Sequence, residues 1–515
     1  MNFRIGIDVG GTNTDAVIIN ERNAVVSFYK TATTEDVSSG VEKAVKEILA
    51  LSKINVKDIK NVMLGTTHAT NALVERKHLA KAGVIRLAAP SGFAIPPYTA
   101  WPEELLKAVF AGYEIVRGGY EYSGVPLSNP DKDEIKYAID SLVKKGAQSL
   151  AISCAFSPVN HEGELFAAET ARELLGGAFP VTLSHETGSV GLLERENAAI
   201  LNASIRELVK NAYGSFQQSI HNNGIRAELF ITQNDGTLMS IEKAKQYPVL
   251  TIASGPTNSL RGAAFLSNKT DAFVVDVGGT TTDIGVLNRG FPRESGTSVE
   301  ICGVRTNFRM PDIISIGLGG GSIINKNPAG IGPQSTGFRI SEEALIFGGT
   351  TLTATDIAVK NAHISLGNPD AVSSLESGFA RECTEIIKNM IETALDTMKT
   401  QAGDVPVILV GGGSIIVPRN LQGVAEIIIP ENFGVANAIG AAIAQVSGSI
   451  DGIYNVTQKG REKVLEEIKE EAVNEAVKAG ALRSSTEIVE IEEIPLAYLP
   501  SNAVRIRVKA AGSLG

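Results

Sequence analysis

The sequence predicts an α/β fold with two related lobes and a small C-terminal α+β appendage. Three observations lead to this prediction. Apolar, β-branched runs alternate with amphipathic helical runs along most of the 515 residues, which is typical of α/β proteins with a largely parallel sheet. Residues 5–20 return, 268 positions later, as residues 273–288, with eight of sixteen positions identical. After residue 450, a strongly charged helical run at 458–479 precedes two strand-like runs.

Each copy of the repeat predicts a β-hairpin with a glycine turn. In the first copy, residues 4–8 form a short apolar strand, Gly10 and Gly11 form the turn, and residues 14–19 return as a β-branched strand. Glycine lets a phosphate approach the backbone, and successive N–H groups of such a turn can point at anionic oxygens. The predicted phosphate-binding residues are Gly10, Gly11, Thr12, Asn13, Thr14, Gly278, Gly279, Thr280, Thr281 and Thr282.

An aspartate ends the first strand of each hairpin. Asp8 and Asp276 would bring negative charge to the place where a cation bridges protein and phosphate. Carboxylate oxygen suits Mg²⁺ that is held largely through water. We therefore predict that Asp8 and Asp276 bind the metal and that, with Thr12 and Thr280, they form the catalytic set.

Two further glycine turns are candidates for nucleotide contact. An apolar strand at 405–410 enters the first, and the second lies within 315–322. The predicted residues are Gly411, Gly412, Gly413, Ser414, Gly319, Gly320 and Gly321. Either turn alone could be structural, without a ligand. Together with the two hairpins, they resemble the phosphate and adenosine motifs of the superfamily of actin, sugar kinases and heat-shock chaperone ATPases. That resemblance implies duplicated actin-like ATPase (ribonuclease H-like) lobes around one nucleotide cleft.

The remaining elements follow from hydrophobic periodicity. Strands are predicted at 24–32, 61–65, 83–89, 148–153, 179–184, 228–233, 249–253, 487–493 and 503–509. Helices are predicted from a capping-box-like start at 33–36, and at 133–145, 161–175, 191–222, 255–265, 373–400, 434–446 and 458–479. The predicted domains are an N-terminal lobe at 1–190, a second lobe at 191–450 and the appendage at 451–515.

Composition narrows the functional classes. A net charge of −10 and a pI near 5.4 argue against a nucleic-acid-binding surface. Three widely spaced cysteines without a C-x-x-C pair support neither a disulfide framework nor a zinc ribbon. The histidines lack metal-site spacing, and there is no G-x-S-x-G elbow. No signal-peptide pattern precedes the first strand and no apolar run reaches the ~18 residues of a membrane span, so we expect a cytoplasmic protein.

A polar stretch at a strand-to-helix junction, residues 64–76, is the candidate substrate site. It places hydroxyls, an imidazole and an amide where a helix N-terminus attracts oxyanions. The predicted substrate residues are Thr66, Thr67, His68, Asn71, Glu75, Arg76 and, from a second polar cluster, His185. The alternative is that Thr66 or Thr67 only caps the helix and that His68 is a hydrogen-bonded structural residue.

Taken together, these stretches resemble the hydantoinase A and 5-oxoprolinase family, which includes acetone carboxylase subunits. The resemblance is carried by residues 8–15, 65–76, 184–185, 254–256, 276–283, 319–322, 355–356 and the turn at 411. It implies ATP and Mg²⁺ as cofactors, a small cyclic amide as substrate and a hydantoinase B-type subunit as partner, and it allows a homodimer. Two features depart from the family pattern. The chain ends near residue 515, like the short form of the family, and residues 194–197 lack the usual small hydroxyl residues after Glu-Arg.

The reaction implied is ATP-dependent ring opening of a hydantoin, an N-methylhydantoin or 5-oxoproline. Transfer of the γ-phosphoryl group to the amide carbonyl oxygen would activate the carbon for attack by water. Two alternatives stay open: a subunit of an ATP-dependent ketone carboxylase, and a non-catalytic ATP-gated binding module of the chaperone or filament type.

Overall fold

The computed structural model describes residues 2–33, 37–295, 299–307, 310–326, 329–362, 364–496 and 503–514. The helix start predicted at 33–36 lies mostly outside these residues. Up to residue 183 the strands are β1 Phe3–Val9, β2 Asn13–Asn20, β3 Val25–Ala32, β4 Ile59–Thr66, β5 Ala82–Ala89, β6 Phe110–Arg117, β7 Ser149–Cys154 and β8 Val181–Leu183. The helices of this part are α1 Val37–Ser52, α2 His68–Glu75, α3 Glu103–Val109, α4 Lys132–Lys144 and α5 Glu162–Leu175.

A long helix, α6 Leu192–Asn222, leads into the middle of the chain. The strands there are β9 Glu228–Thr232, β10 Thr237–Ser240, β11 Ala272–Val277, β12 Thr282–Asn288, β13 Phe291–Pro292, β14 Val299–Ile301, β15 Val304–Thr306, β16 Ile313–Ile316, β17 Ser322–Lys326 and β18 Ala329–Ser335. The helices are α7 Ile241–Gln246, α8 Ser254–Ser267, α9 Ile340–Glu343, α10 Ala354–Lys360 and α11 Ser377–Met398. The last part contains β19 Val405–Val410, β20 Val424–Ile428, α12 Ala436–Ala442, β21 Gln445–Asn455, α13 Val456–Lys459, α14 Arg461–Lys478, β22 Glu487–Pro495 and β23 Ala503–Gly512.

The two repeats occupy equivalent places in two sheets. In the first sheet, β3, β2 and β1 are antiparallel neighbours, and β4 and β9 follow parallel to β1. In the second sheet, β12 is antiparallel to β11, and β19 and β20 follow parallel to it. The same antiparallel hairpin followed by two parallel strands therefore occurs twice. The predicted α/β fold class with duplicated lobes is confirmed.

The C-terminal strands do not form a sheet of their own. They extend the first sheet to nine strands, in the order β22-β23-β21-β10-β9-β4-β1-β2-β3, and α14 packs on β21 and β23. A separate, wholly parallel sheet of order β6-β5-β7-β8 lies within the first 183 residues. Strand pairing therefore crosses both predicted domain boundaries, at 190/191 and 450/451, because β9, β10 and the last three strands return to the first sheet.

Helices α8 and α12 connect the two lobes. Buried apolar side chains of α8 pack against the second sheet, and those of α12 pack against β2 of the first. Where the helices cross, a Cβ on Gly262 would overlap the carbonyl group of Ala436, and a Cβ on Gly440 would overlap the carbonyl oxygen of Asn258. Because no side chain separates them, the two backbones touch.

Two sequence predictions of secondary structure are wrong in detail. The apolar run at 249–253 is not a strand but a 3₁₀ turn, Pro248–Thr251. Proline fixes φ and has no N–H to donate to a ladder, and Thr251 Oγ donates to the Pro248 carbonyl oxygen over 2.7 Å. The helix predicted at 434–446 is shorter, because the chain enters β21 at Gln445.

Among the described residues, every helix is either too short or too polar to cross a bilayer.

Candidate active site

The two hairpin turns face each other across a cleft of about 720 Å³. A Cβ added to Gly279 in the second turn would lie 3.0 Å from Cγ2 of Thr12 in the first. The turns are therefore in van der Waals contact, although 268 residues separate the two motifs. This contact satisfies the geometric requirement of the sequence prediction, which needs both turns at one ligand.

The other two glycine turns pack directly on the second hairpin. Gly320 N–H donates to the Gly278 carbonyl oxygen over 3.0 Å, and Gly321 N–H donates to that of Gly279 over 2.7 Å. A Cβ on Gly411, whose φ is +82°, would overlap an Asp276 carboxylate oxygen. Glycine is required there both for the left-handed backbone and for the close approach. All four turns thus form one continuous backbone surface.

Most of the predicted nucleotide residues line the cleft. They are Gly10, Gly11, Thr12, Asn13, Gly278, Gly279, Thr280, Thr281, Gly320, Gly411, Gly412 and Gly413. The other predicted residues are buried behind the turns: Thr14, Thr282, Gly319, Gly321 and Ser414. Thr282 Oγ, for example, donates to the Leu318 carbonyl oxygen over 2.6 Å, so this side chain braces the turn from behind.

The walls of the cleft differ in chemistry. Phe338, Phe347 and Leu366 form an apolar wall on the side of the second lobe, and both phenylalanines are exposed. On the side of the first lobe, the lining includes Thr67 and the first turn of α8 at Gly255. The first N–H groups of a helix have no intrahelical acceptor. The cleft therefore has an apolar wall, a backbone-lined floor and a polar wall with helix N-termini.

Asp8 and Asp276 lie at the floor, each buried and each held by neutral donors. Asp8 accepts hydrogen bonds from Asn258 Nδ2 over 3.4 Å and from Asn437 Nδ2 over 3.3 Å. Ser259 Oγ lies within hydrogen-bond distance of both the Asp276 carboxylate and Asn437 Oδ1, the latter at 2.7 Å. The two carboxylates are thus linked through Asn437 of α12 and Ser259 of α8, the helices that join the lobes.

Burial makes these carboxylates costly to ionise. Burial, together with the nearby charge of Asp15, raises the pKa of Asp8 to about 6. Burial likewise raises the pKa of Asp276, and it raises that of Asp283 to about 6. A divalent cation would relieve this cost.

The donor set at the floor is all oxygen, which Mg²⁺ prefers, and Mg²⁺ is usually bound by one or two carboxylates plus water and phosphate. Asp8 and Asp276 fit that role. Within the described ranges, no three His, Cys, Asp or Glu residues are grouped closely enough to hold a metal ion by themselves.

The predicted substrate residues are not all brought together. Thr67 lines the cleft, and its Oγ donates to the Val9 carbonyl oxygen over 3.4 Å. Thr66 is buried and accepts a hydrogen bond from the His68 N–H over 3.2 Å. Burial lowers the pKa of His68, and its Nε2 has no hydrogen-bond partner in the part of the chain that the structure describes. Asn71 donates to Thr67 Oγ over 3.3 Å.

Glu75, Arg76 and His185 are not among the described residues that line the cleft. Glu75 and Arg76 are exposed at the end of α2, because this short helix carries them away from its N-terminus. His185 Nδ1 lies 2.6 Å from the buried carboxylate of Glu164, beside the four-stranded sheet. Of the predicted substrate residues, only Thr67 is among the described residues that line the cleft, and Asn71 is hydrogen-bonded to it. Thr66, His68, Asn71 and these three lie outside that lining.

Several residues at the site were not among the binding residues predicted from the sequence, although Asp15, Gly255 and Asp283 lie in stretches that carry the family resemblance. The residues not predicted are Asp15, Lys30, Gly255, Asn258, Ser259, Asp283, Phe338, Phe347, Leu366 and Asn437. Asp15 and Asp283 could have been found, because both are conserved between the two copies of the repeat. Asn437 is a lone amide in an alanine- and glycine-rich helix, which is a weak signal. The aromatic wall has no local signal, because only tertiary folding brings it to the glycine turns.

Comparison with known proteins agrees with this geometry. Residues 4–175 match the family profile of the hydantoinase/oxoprolinase N-terminal region, and residues 195–368 match the hydantoinase/oxoprolinase profile. The chain is similar to two solved structures at 17% identity each. An ATP-dependent caprolactamase from Pseudomonas jessenii has a TM-score of 0.77 (99% of this chain, 87% of that chain), and a nucleotide-free acetone carboxylase has 0.71 (100% and 88%). These likenesses show a shared fold.

Known relatives are identical to this chain at about one aligned residue in four. The acetophenone carboxylase gamma subunit of Aromatoleum aromaticum is 26% identical over 71% of this chain and 53% of its own length. The caprolactamase subunit alpha of Pseudomonas jessenii is 26% identical over 71% and 54%. An uncharacterised protein of Methanocaldococcus jannaschii is 24% identical over 92% and 78%. The chain thus spans about half the length of the acetophenone carboxylase and caprolactamase subunits. Since the two family profiles together match well over half of its residues, this chain belongs to the hydantoinase/oxoprolinase family.

Proposed function

We propose that this chain is the ATP-consuming subunit of a cyclic amide hydrolase, acting on a hydantoin, an N-methylhydantoin or 5-oxoproline. The observation that carries this proposal is the contact between the two glycine turns, with Asp8 and Asp276 at the floor of one cleft. A single turn suits one phosphate group, whereas two facing turns suit a triphosphate held from both sides.

The three surfaces of the cleft suggest how ATP would lie. The apolar wall of Phe338, Phe347 and Leu366 offers a face for the adenine ring. The four glycine turns offer N–H groups and hydroxyls to the phosphates. Asp8 and Asp276 would hold Mg²⁺, which neutralises charge on the phosphate oxygens when bound.

The polar wall is the proposed acceptor site. Thr67 and Gly255 stand at the N-termini of α2 and α8, and a Cβ on Gly255 would lie 3.9 Å from Cγ2 of Thr67. Two converging helix N-termini favour an oxygen that carries partial negative charge, such as an amide carbonyl. In this proposal the carbonyl lies beside the first phosphate turn, which Thr67 contacts through its hydrogen bond to Val9.

The proposed chemistry is phosphorylation followed by hydrolysis. The amide carbonyl oxygen attacks the γ-phosphorus, the bond from that phosphorus to the β–γ bridging oxygen breaks, and ADP leaves with the bonding electrons. One water then adds to the activated carbon, and the ring C–N bond breaks, so that the nitrogen leaves with a proton and the carbon is left as an acyl phosphate. A second water attacks this acyl phosphate and releases inorganic phosphate and the carboxylate. The chain's turns align the phosphate with the acceptor. We propose that a hydantoinase B-type partner subunit completes hydrolysis, since two curated relatives are named as subunits.

Nucleotide binding should depend on pH through the floor carboxylates. Burial raises the pKa of both Asp8 and Asp276, to about 6 for Asp8, and only the ionised form ligates a metal. At saturating Mg²⁺, we expect nucleotide to bind roughly tenfold more tightly at pH 7 than at pH 5. Without Mg²⁺ the sign should reverse, because ionised carboxylates repel phosphates. Calorimetric titration measures both series; a Mg²⁺-dependent affinity that does not change with pH would contradict the metal assignment.

A ketone carboxylase subunit is the second candidate. It is favoured by the similarity to the acetophenone carboxylase gamma subunit and to the acetone carboxylase structure. Both candidates phosphorylate an oxygen, so the same cleft would serve either reaction. They differ in what stimulates ATP consumption, which is an amide in one case and a ketone with bicarbonate in the other.

The deciding experiment is an ATPase screen with the chain alone and with the subunits that co-purify with it. We expect hydantoins or 5-oxoproline to stimulate ADP release, with stoichiometric ring opening measured by chromatography. Stimulation only by ketones with bicarbonate would replace the amide hydrolase with the carboxylase. Tight ATP binding without stimulation by any of these compounds would support a non-catalytic ATP-gated module.

A further inference from the structure

Charge in the cleft is unbalanced. The described lining residues include four carboxylates, on Asp8, Asp15, Asp276 and Asp283, and a single basic side chain, that of Lys30. A triphosphate is a polyanion, so the cleft as a whole repels it unless cations intervene. Mg²⁺ at Asp8 and Asp276 would supply one cation, and Lys30 is the one that the described lining itself provides.

Lys30 stands in a row with two of these carboxylates. Asp8 pairs in register with Asp15 across β1 and β2, and Asp15 pairs with Lys30 across β2 and β3. Directly paired residues on neighbouring strands point to the same face of a sheet, about 5 Å apart per strand. The Lys30 ammonium lies 2.9 Å from Asp15 Oδ1 and is about one-third exposed, at the open side of the cleft.

The two lobes differ at the position of Lys30. In the second lobe the equivalent row runs from Asp276 to Asp283 and then to Ser315 on β16. The two aspartates are therefore repeated, but the lysine has no counterpart, because its place is taken by a serine. A cation that only balanced the charge of the second aspartate would be needed in both lobes. Its presence in one lobe points to a role toward a ligand that is itself asymmetric.

From these observations, and presupposing the ATP binding proposed above, we propose that Lys30 binds the terminal phosphate of ATP. Asp15 holds the Lys30 ammonium at the edge of the cleft. Lys30 and Asp276 both line the cleft, one from each lobe. A charged hydrogen bond to the γ-phosphate would make the cleft prefer ATP over ADP.

The alternative hypothesis is that Lys30 and Asp15 form only a surface ion pair that stabilises β3, the edge strand. Two variants distinguish these hypotheses. Lys30→Gln and Asp15→Asn break the same ion pair, but only Lys30→Gln removes the ammonium. The measurement is calorimetric titration of each protein with Mg²⁺ and either a non-hydrolysable ATP analogue or ADP. Lys30→Arg, which keeps the charge, is a third variant.

We expect Lys30→Gln to weaken binding of the ATP analogue by about 10- to 100-fold and to change ADP binding by less than about threefold. Asp15→Asn should keep the preference for the triphosphate, and Lys30→Arg should keep most of it. Equal losses for both nucleotides in Lys30→Gln, or the same loss of preference in Asp15→Asn, would overturn the role of Lys30 but leave the proposed function intact. Failure of the unmodified chain to bind either nucleotide would overturn both.

Discussion

Replacing Asp8 by asparagine should abolish ATP turnover and, at pH 7, raise the melting temperature of the nucleotide-free protein. Turnover is expected to fall by at least about 100-fold, the effect of removing one electrostatic group from a preorganised site. The fold should survive, since Asn258 Oδ1 has no hydrogen-bond partner among the described residues. A rotated Asn258 amide can therefore accept a hydrogen bond from the new side chain.

The rise in stability follows from the pKa of Asp8. Its folded value of about 6 lies above the ordinary value of 3.8, so the folded protein binds the extra proton more tightly than the unfolded chain. The native state therefore loses stability as the pH rises from about 4 to about 6, by up to about 3 kcal/mol. An uncharged amide escapes this loss at pH 7, and its advantage should vanish near pH 4.

The control for this variant is Asp271→Asn, at an exposed aspartate that accepts a hydrogen bond from the Arg289 N–H over 3.3 Å. It should change neither turnover nor the melting temperature. ATP turnover within a few-fold of the unmodified protein in Asp8→Asn would refute the metal role. A lower melting temperature of Asp8→Asn at pH 7 would refute the prediction that the buried Asp8 charge destabilises the folded protein.

Replacing Glu196 by alanine should destabilise the protein by about 3–5 kcal/mol, the usual cost of leaving a buried charge without its partner. Arg86 and Glu196 are each 1% exposed and form two hydrogen bonds, Nε to Oε2 at 2.8 Å and Nη2 to Oε1 at 2.5 Å. Ser153 Oγ also donates to Glu196 Oε2 over 2.6 Å. In the variant, the guanidinium stays buried in β5 and keeps only its backbone acceptors.

The chain offers its own probe for this experiment. Trp101 is the sole tryptophan, and its indole N–H donates to Oδ1 of Asn197, the neighbour of Glu196, over 2.9 Å. Urea unfolding followed by tryptophan fluorescence therefore reports on this region. Glu134→Ala, which breaks an exposed Arg117 pair, should shift the midpoint far less, because solvent screens that pair. Equal shifts in the two variants would contradict the prediction.

The sequence was sufficient to predict the parts of the site that are local. Each hairpin has its strands, glycine turn and aspartate within sixteen residues, and the repeat gave the second hairpin the same interpretation as the first. The parts that depend on tertiary contacts were missed. Lys30 reaches the cleft only because β3 pairs with β2, and Asn437 because α12 crosses α8. The aromatic side chains of 338 and 347 meet the phosphate turns only after folding.

Errors in secondary structure have the same origin. The run at 249–253 is as apolar as a buried strand, but Pro248 and the side chain of Asn202, whose Oδ1 accepts from the Val249 N–H over 3.2 Å, commit it to a turn. The C-terminal strands looked like an appendage, because nothing in their own sequence indicates the distant strand with which they pair. Propensity is a local quantity, and sheet membership is not.

The glycine crossing of α8 and α12 acts as a pivot. Apolar side chains of both helices pack in the clusters between the two sheets, and at Gly262 and Gly440 the two helices touch backbone to backbone. If the lobes rotate against each other, as in hinge-type domain closure, we expect the axis to pass near this crossing, because the two backbones are closest there. Asn437 and Ser259 lie beside this crossing and are hydrogen-bonded to Asp8 and Asp276. We therefore expect domain closure over a nucleotide to move the cleft walls much farther than it changes the distance between these two carboxylates.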